Sequence, residues 1–285
     1  MVDFIIIGAM KCATSTLHEQ LTAQPAIFMS EPKEPCFFSD DGVWRNGTDW
    51  YEGLFSQAGQ GELRGESSTH YTKLPTYPHT VERMAQHVPN AKLVYLMRHP
   101  LDRLVSQYIH QWTEREISCD LNQAVHEHPE LVSYSQYDMQ LAPFISAYGK
   151  ENILPVFLPQ MKTRPQQTLE KVCDFIGYRD TPHWQEASGE QNESAQRMRT
   201  SPLRDFLTYA PGISQVRQYL IPQAVRNRIK KNWQMSDRPE LSPENVAQLT
   251  QVFDADLALL GERLGVGLTC ENFKSVTGGE WLEWR

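Results

Sequence analysis

"FIIIGAMKCATSTL", residues 4–17, decides how the chain is read. An apolar run rich in β-branched isoleucine leads into Gly8, Lys11 and a cluster of hydroxyl side chains. Such a run reads as a short buried strand. Residues 3–8 are therefore expected as strand and Thr14 to Ala23 as the helix that follows, with Thr14, Ser15 and Thr16 available to cap it. A glycine-bearing loop between strand and helix turns backbone N–H groups toward one point at the positive end of a helix dipole. Lys11 adds a point charge and the hydroxyls add donors, a set that suits a phosphate-type anion. The lysine comes early, however. The nucleoside-triphosphate loop places it at the end of a longer G-x-x-x-x-G-K-[ST] pattern, whereas here it stands three positions after Gly8. Taken alone, the same residues also describe an ordinary strand–helix turn with an exposed lysine.

Working outward, "ELRGESS" reads as a second strand and "TVERMAQHV" as a helix, and "AKLVYLM", residues 91–97, is a clear buried strand. Pro100 suits the first turn of a helix reaching about Gln111. "SQYDMQLAPFISAYG" reads as a helix closed by Gly149, "NILPVF" as a strand, and "PQQTLEKVCDFIGY" as an amphipathic helix ending at Gly177. Residues 24–46 show no clear period and read as an ordered loop, with a short helix after Thr48. A late helix follows Ser242–Pro243. Strands alternating with helices imply parallel βαβ units. The expected fold is α/β: a P-loop-type three-layer arrangement with a central, mainly parallel sheet flanked by helices. One domain is expected over residues 1–265, with 266–285 as a C-terminal tail to which the sequence assigns no structure.

The chain has 285 residues, 40% hydrophobic, enough for a large core. A net charge of −8 argues against a general nucleic-acid binder, whose affinity comes from basic surface. Five cysteines without a C-x-x-C pair read as free thiols in a reducing compartment, not as a disulfide frame or zinc site. The apolar start is too short for a signal peptide, and no run of about 18 apolar residues exists to span a membrane. A cytoplasmic protein is expected, and the histidines and carboxylates show no metal-ligand spacing.

Three further stretches carry candidate chemistry. In "LVYLMRHPLDRLVSQY" a strand ends at Arg98, and Ser106 follows eight residues later on the next helix. Guanidinium and hydroxyl can converge there on a second phosphate, since arginine's planar fork binds two phosphate oxygens at once. A triphosphate hydrolase needs an Asp near such a strand end to help hold Mg²⁺. The plainer reading of Arg98 is a surface salt bridge to Asp102. In "SEPKEPCFF", residues 30–38, Glu31 and Glu34 lie among prolines that stiffen the loop, ahead of Phe37 and Phe38 that can anchor it. A held carboxylate can serve as a general base, while an exposed acidic turn is the bland alternative. In "GESSTHYTKLP", His70 is a second candidate base, against the commoner case of a histidine that is simply packed.

Together these motifs resemble the sulfotransferases that use 3′-phosphoadenosine 5′-phosphosulfate (PAPS), and most of all their carbohydrate branch, the heparan sulfate glucosaminyl 3-O- and N-sulfotransferases. That family's 5′-phosphosulfate loop reads K-x-G-T-[ST]-x-L after a strand; here it is "KCATSTL", with Ala13 in place of the usual glycine. Its 3′-phosphate motif is an Arg at a strand end with a Ser eight later, as in Arg98 and Ser106. Its carbohydrate branch places a base glutamate three residues before a Phe-Phe pair, as in Glu34 before Phe37 and Phe38. The resemblance covers roughly residues 3–200 and implies that Lys11, Cys12, Ala13, Thr14, Ser15, Thr16, Arg98 and Ser106 contact the donor. Arg197, in a late stretch where family members fold a loop over the cofactor, is implied as a further contact. Lys11 and Glu34 are implied as catalytic, with His70 as the competing base. No metal is implied, and the acceptor is a carbohydrate or small molecule. Ser67 and Ser68 stand where the glycosaminoglycan enzymes carry Lys and a hydroxyl residue, which, with the net charge, argues against a polyanionic acceptor. The alternatives are a P-loop kinase of a small metabolite and a catalytically silent nucleotide-binding protein of the same fold. Oligomeric state is not encoded in any of these features.

Overall fold

The computed structural model describes residues 1–186 and 238–285. Strand β1 (Phe4–Gly8) is buried at every position because it lies at the centre of the sheet. It feeds helix α1 (Thr14–Thr22), after which come β2 (Ile27–Met29), α2 (Asp41–Trp44), α3 (Thr48–Gly53) and β3 (Leu63–Ser67). A short 3-10 turn, Thr69–Thr72, leads on to α4 (Thr80–His87), β4 (Lys92–Met97) and α5 (Pro100–Glu114). Then follow α6 (Leu121–Glu127), α7 (Glu130–Ser133), α8 (Tyr137–Tyr148), β5 (Ile153–Phe157), α9 (Leu158–Thr163) and α10 (Pro165–Ile176). Beyond residue 237 the described chain forms α11 (Pro243–Leu264) and α12 (Phe273–Gly278).

The five strands run in the order β2-β3-β1-β4-β5, and every pairing is parallel. This is the expected P-loop-type α/β architecture. Register is set by shape: Phe4 lies opposite Gly65 and Lys92, and a Cβ at Gly65 would overlap the Phe4 ring. From β1 the chain leaves toward β2, and from β4 it leaves the other way, toward β5. Open α/β sheets place their ligand crevice at such a reversal, at the carboxyl ends of the strands. The loops after β1, β2, β3 and β4 all emerge on that edge.

Two short elements depart from the sequence reading. Residues 24–46 contain β2 and α2, the latter capped by the Asp40 carboxylate, which accepts from the amides of Gly42 and Val43. Three residues of strand are too few to show a period. At the other end, the last residues dock on the domain. Phe273 is fully buried, the Trp284 Nε1–H donates to the Ile153 carbonyl at 2.6 Å, and the Arg285 amide donates to the Arg263 carbonyl at 2.8 Å. Among the described residues no helix is long and apolar enough to cross a membrane.

Candidate active site

The loop after β1 is shaped by its backbone. Gly8 has φ +140°, and a Cβ there would overlap the Thr72 hydroxyl. Lys11 and Ala13 both sit in the left-handed region at φ 67°. Ala13 is the N-cap of α1 and no side chain caps that helix, so the hydroxyls of Thr14, Ser15 and Thr16 do not play the capping role expected of them. The first-turn N–H groups of α1 have no intrahelical acceptor, as at any helix start, and the loop turns them toward the edge of the sheet. Thr14 is buried, Thr16 half-buried and Ser15 exposed. Cys12 contributes differently. Its thiol is wholly buried, its amide donates to the Ala9 carbonyl at 3.2 Å, and burial raises its pKa, so it anchors the loop as an uncharged group.

Arg98, at the end of β4, meets this loop directly: its Nη1 donates to the Lys11 carbonyl at 3.2 Å. Tyr137, at the start of α8, fixes the Arg98 backbone on both sides, donating its hydroxyl to the Arg98 carbonyl at 2.6 Å and accepting from the Arg98 amide at 3.3 Å. The same hydroxyl lies 3.9 Å from the Cys12 thiol. One tyrosine thus joins the two anion motifs. The Arg98 Nε is buried and has no partner among the described residues, which leaves a guanidinium donor for an incoming anion. The expected alternative, a salt bridge from Arg98 to Asp102, is not formed; Asp102 pairs with Lys274 at 2.8 Å. Ser106 is buried on α5, two turns in from the strand end.

The loop after β2 is held by side chains and by the end of β3. The Ser30 amide donates to the Gly65 carbonyl at 2.8 Å, the Glu34 amide to the Ser67 carbonyl at 2.9 Å, and the Cys36 amide to the Ser68 hydroxyl at 3.1 Å. Glu34 and Cys36 take left-handed backbone angles, φ 59° and 53°. Phe37 and Phe38 are fully buried beside Tyr51 and Trp44, with the Phe37 and Tyr51 rings stacked at 4.8 Å, so they anchor the loop as the sequence suggested. Glu31 is exposed.

The Glu34 carboxylate accepts from the Thr69 hydroxyl at 2.9 Å and from Lys33 at 3.1 Å. Lys33 also donates to the Ser15 hydroxyl at 3.0 Å, tying the Glu34 loop to α1. Burial pushes the Glu34 carboxyl up, but the Lys33 charge and hydrogen bond, the Thr69 hydrogen bond and the Lys73 charge outweigh it and hold the group below the ordinary carboxylate range. Glu34 is therefore an ionised proton acceptor at neutral pH. His70, the competing base, makes no hydrogen bond to Glu34; its ring stacks on Tyr77 at 4.9 Å and 16°. Burial, then the nearby Lys73 charge, lowers its pKa to about 4.

Behind Glu34 lies a second carboxylate. Glu66 is fully buried and accepts from the hydroxyls of Tyr51 at 2.6 Å, Tyr71 at 3.0 Å and Ser68 at 3.0 Å. Since the Ser68 hydroxyl receives the Cys36 amide, Glu66 orients the loop that carries Glu34. Sequence reasoning missed the parts played by Lys33, Thr69, Glu66 and Tyr137. The available signals were a Lys directly before Glu34, and a hydroxyl-rich run after β3. Arg197, and the stretch 191–199 around it, lie outside the described residues.

Comparison with known proteins bears on the family and the fold. The chain is 33% identical over 139 residues to the "Membrane-associated sulfotransferase kil1" of Dictyostelium discoideum, covering 46% of this chain and 28% of that protein. It is 26% identical over 195 residues to the bovine (Bos taurus) "Bifunctional heparan sulfate N-deacetylase/N-sulfotransferase 2", covering 61% of this chain and 22% of that protein. The chain thus spans about a quarter of the length of the curated relatives it matches. A solved sulfotransferase from Alicyclobacillus acidocaldarius shares the fold, with a TM-score of 0.66 at 22% identity over 94% of this chain and 97% of that one. The family model for the sulfotransferase domain matches residues 2–261, and the chain belongs to that family.

Proposed function

We propose that this protein transfers a sulfuryl group from PAPS to a hydroxyl, or an amine, of a carbohydrate or small-molecule acceptor. The observation that carries the reading is the joining of base and anion loop. An ionised Glu34 is aimed by Thr69 and Lys33, and Lys33 reaches Ser15 on the helix whose N-terminus faces the anion. The acceptor oxygen attacks the sulfur in line, and its proton passes to Glu34 as the bond from sulfur to the bridging oxygen breaks. Adenosine 3′,5′-bisphosphate leaves. Lys11 neutralises the charge that grows on the bridging oxygen, and charge placed in advance where the transition state needs it is usually a large part of catalysis. The loop residues Cys12 and Ala13, with Thr14, Ser15 and Thr16, hold the 5′-phosphate side; Cys12 acts through the backbone, since its thiol faces the core. Arg98 and Ser106 take the 3′-phosphate, with Arg197 as a further contact. These cations supply the charge that a metal supplies in phosphoryl transfer.

Residues 1–265 form the catalytic domain in this reading, with the segment from 266 onward bracing it. The five cysteines are all free, which is consistent with a cytoplasmic site of action. The kinase alternative lacks a carboxylate at the end of β4, where Arg98 stands. Calorimetry with adenosine 3′,5′-bisphosphate, adenosine 5′-phosphate and ATP with Mg²⁺ separates the two. The sulfotransferase reading expects the bisphosphate to bind far more tightly than the monophosphate; tightest binding by ATP with Mg²⁺ would turn it into the kinase reading. Turnover of labelled PAPS against a panel of alcohols, phenols, amines and sugars then distinguishes an enzyme from a silent binding protein and names the acceptor class.

A further inference from the structure

Away from the crevice, α6 carries a set of side chains that sulfuryl transfer does not use. Cys119 stands just before α6, Glu127 ends it and His128 is its C-cap. One donor atom from each (thiol sulfur, carboxylate oxygen and imidazole nitrogen) lies within 4.8 Å of the others. We propose that Cys119, Glu127 and His128 bind a zinc-class divalent cation, with Glu130 orienting His128 and one coordination position left open.

The donor set selects the metal. Magnesium and calcium take oxygen ligands, whereas zinc is borderline-soft and accepts thiolate, imidazole and carboxylate together. Three protein ligands with a fourth position free is the composition of open zinc sites. Bonds of about 2.0–2.3 Å in a tetrahedral centre put ligand atoms roughly 3.5 Å apart, so small side-chain rotations close the set around an ion.

The set is also preorganised. The Asp120 carboxylate caps α6 through the amides of Asn122 and Gln123 at 2.9 and 3.2 Å, fixing the chain next to Cys119. The Tyr108 hydroxyl donates to the Cys119 carbonyl at 2.9 Å, and the His128 amide donates to the Ala124 carbonyl at 2.9 Å. Gln123 donates to Glu127 at 2.7 Å. The Glu130 carboxylate sits 3.2 Å from the His128 Nδ1, which leaves Nε2 to ligate. Metal-binding histidines are commonly oriented in this way through their second nitrogen. Further along, α6 is tied to the start of α11 by the Ser242 amide donating to Asn122 at 2.7 Å and by His126 against Asn245 at 3.0 Å. A bound ion would therefore brace the turn after α5, the helix that carries Ser106. The set escapes a search for ligand spacing because its members bracket a helix instead of forming short Cys or His pairs.

Titrating the metal-free full-length protein with Co²⁺ tests the site, since a thiolate ligand gives a sulfur-to-cobalt charge-transfer band in the near ultraviolet. Zinc affinity follows from competition with a chromophoric chelator. One equivalent of Co²⁺ should develop the band, and Cys119→Ser should abolish it while circular dichroism stays unchanged. His128→Ala should release zinc, and Glu130→Gln should weaken zinc binding by about 10–100-fold, the scale for a lost outer partner. Absence of the band overturns the proposal, and so does a band that survives Cys119→Ser, which would place the metal on another thiol. Unchanged zinc affinity in Glu130→Gln removes the orienting role.

Discussion

Glu34 and Glu66 stand at the same edge of the sheet in opposite electrostatic conditions. Glu34 lies in the loop after β2, with its side chain 31% exposed and a lysine in contact. Glu66 lies near the end of β3, fully buried, with three hydroxyl donors and no cation among its hydrogen-bond partners. Burial pushes both carboxyls up. For Glu34 the Lys33 charge and hydrogen bond reverse the shift; for Glu66 the hydroxyls do not, and burial carries its pKa to about 7. At the fully buried Glu66 three hydroxyl donors do not offset the lost water, whereas at the partly exposed Glu34 the Lys33 ammonium, with Thr69 and the Lys73 charge, does. A single edge thus holds an ionised carboxylate fit to accept a proton and a second one whose burial favours the neutral form and whose hydroxyl partners hold a loop.

The hardest test of the contrast is Glu34→Gln, which keeps shape and removes the proposed base. Turnover should fall about 10²–10⁴-fold, while adenosine 3′,5′-bisphosphate affinity stays near normal. His70→Asn should cost much less, since that ring stacks on Tyr77 and makes no hydrogen bond to Glu34. A dead histidine variant beside an active glutamine variant would exchange the two roles.

The second test reads the two groups through stability. The folded-state pKa of Glu66 is raised from an ordinary 4.5 to about 7. The fold therefore favours its neutral form, and the stability this confers is complete below the ordinary value and lost as pH rises through about 7. A shift of this size corresponds to something on the order of 3 kcal/mol. Glu34 has the opposite sign: its lowered pKa contributes stability above the ordinary carboxylate range that is lost as pH falls through the lowered value. Urea midpoints followed from about pH 5 to 8 should decline in the parent protein, and Glu66→Gln should flatten that decline. If the slope survives the substitution, another group is responsible.

The same contrast explains what the sequence displayed. Lys11 and Arg98 stood out as candidates because strand ends mark them, Glu34 because its spacing to Phe37 and Phe38 resembles the carbohydrate branch, and β1 and β4 because continuous apolar runs mark buried parallel strands. Thr69 reaches Glu34 across 35 residues and Tyr137 reaches Arg98 across 39. No local pattern announces such bonds; they exist only once β1, β3 and β4 lie side by side. The short elements β2, α2, α6 and α7 were missed for a related reason, since each is fixed by neighbours or caps instead of by a period of its own. The capping expected of Thr14, Ser15 and Thr16 failed because the backbone at Ala13 turns left-handed and becomes the cap itself.

Arg98→Ala sharpens the comparison on its cationic side. The substitution removes the guanidinium but keeps the backbone that Tyr137 grips. Bisphosphate affinity should fall by about 1.5–3 kcal/mol, the scale of a charge-assisted hydrogen bond, while the unfolding midpoint moves little. Adenosine 5′-phosphate should bind the variant and the parent protein alike. An equal loss for both nucleotides would place Arg98 on the 5′ side of the ligand.

The smallest expected effect concerns Ala13, which stands where the motif this loop resembles has glycine. Its φ of 67° and ψ of 27° lie in the left-handed region, which costs an L-residue with a Cβ about 1–2 kcal/mol. The angles are imposed from both sides: Cys12 is anchored in the core, and the Leu17 amide donates to the Ala13 carbonyl at 3.2 Å, starting α1 at a fixed point. Ala13→Gly removes the Cβ penalty from the folded state but adds freedom to the unfolded chain, so the two effects partly cancel. The net expectation is a gain of about 0.5–1 kcal/mol, read as a higher urea midpoint with an unchanged slope. Bisphosphate affinity should stay the same or rise slightly, because a glycine leaves the amides free to approach the ligand more closely. A lower midpoint would mean that the Ala13 methyl contributes packing worth more than the strain it causes, and that the loop has settled around alanine.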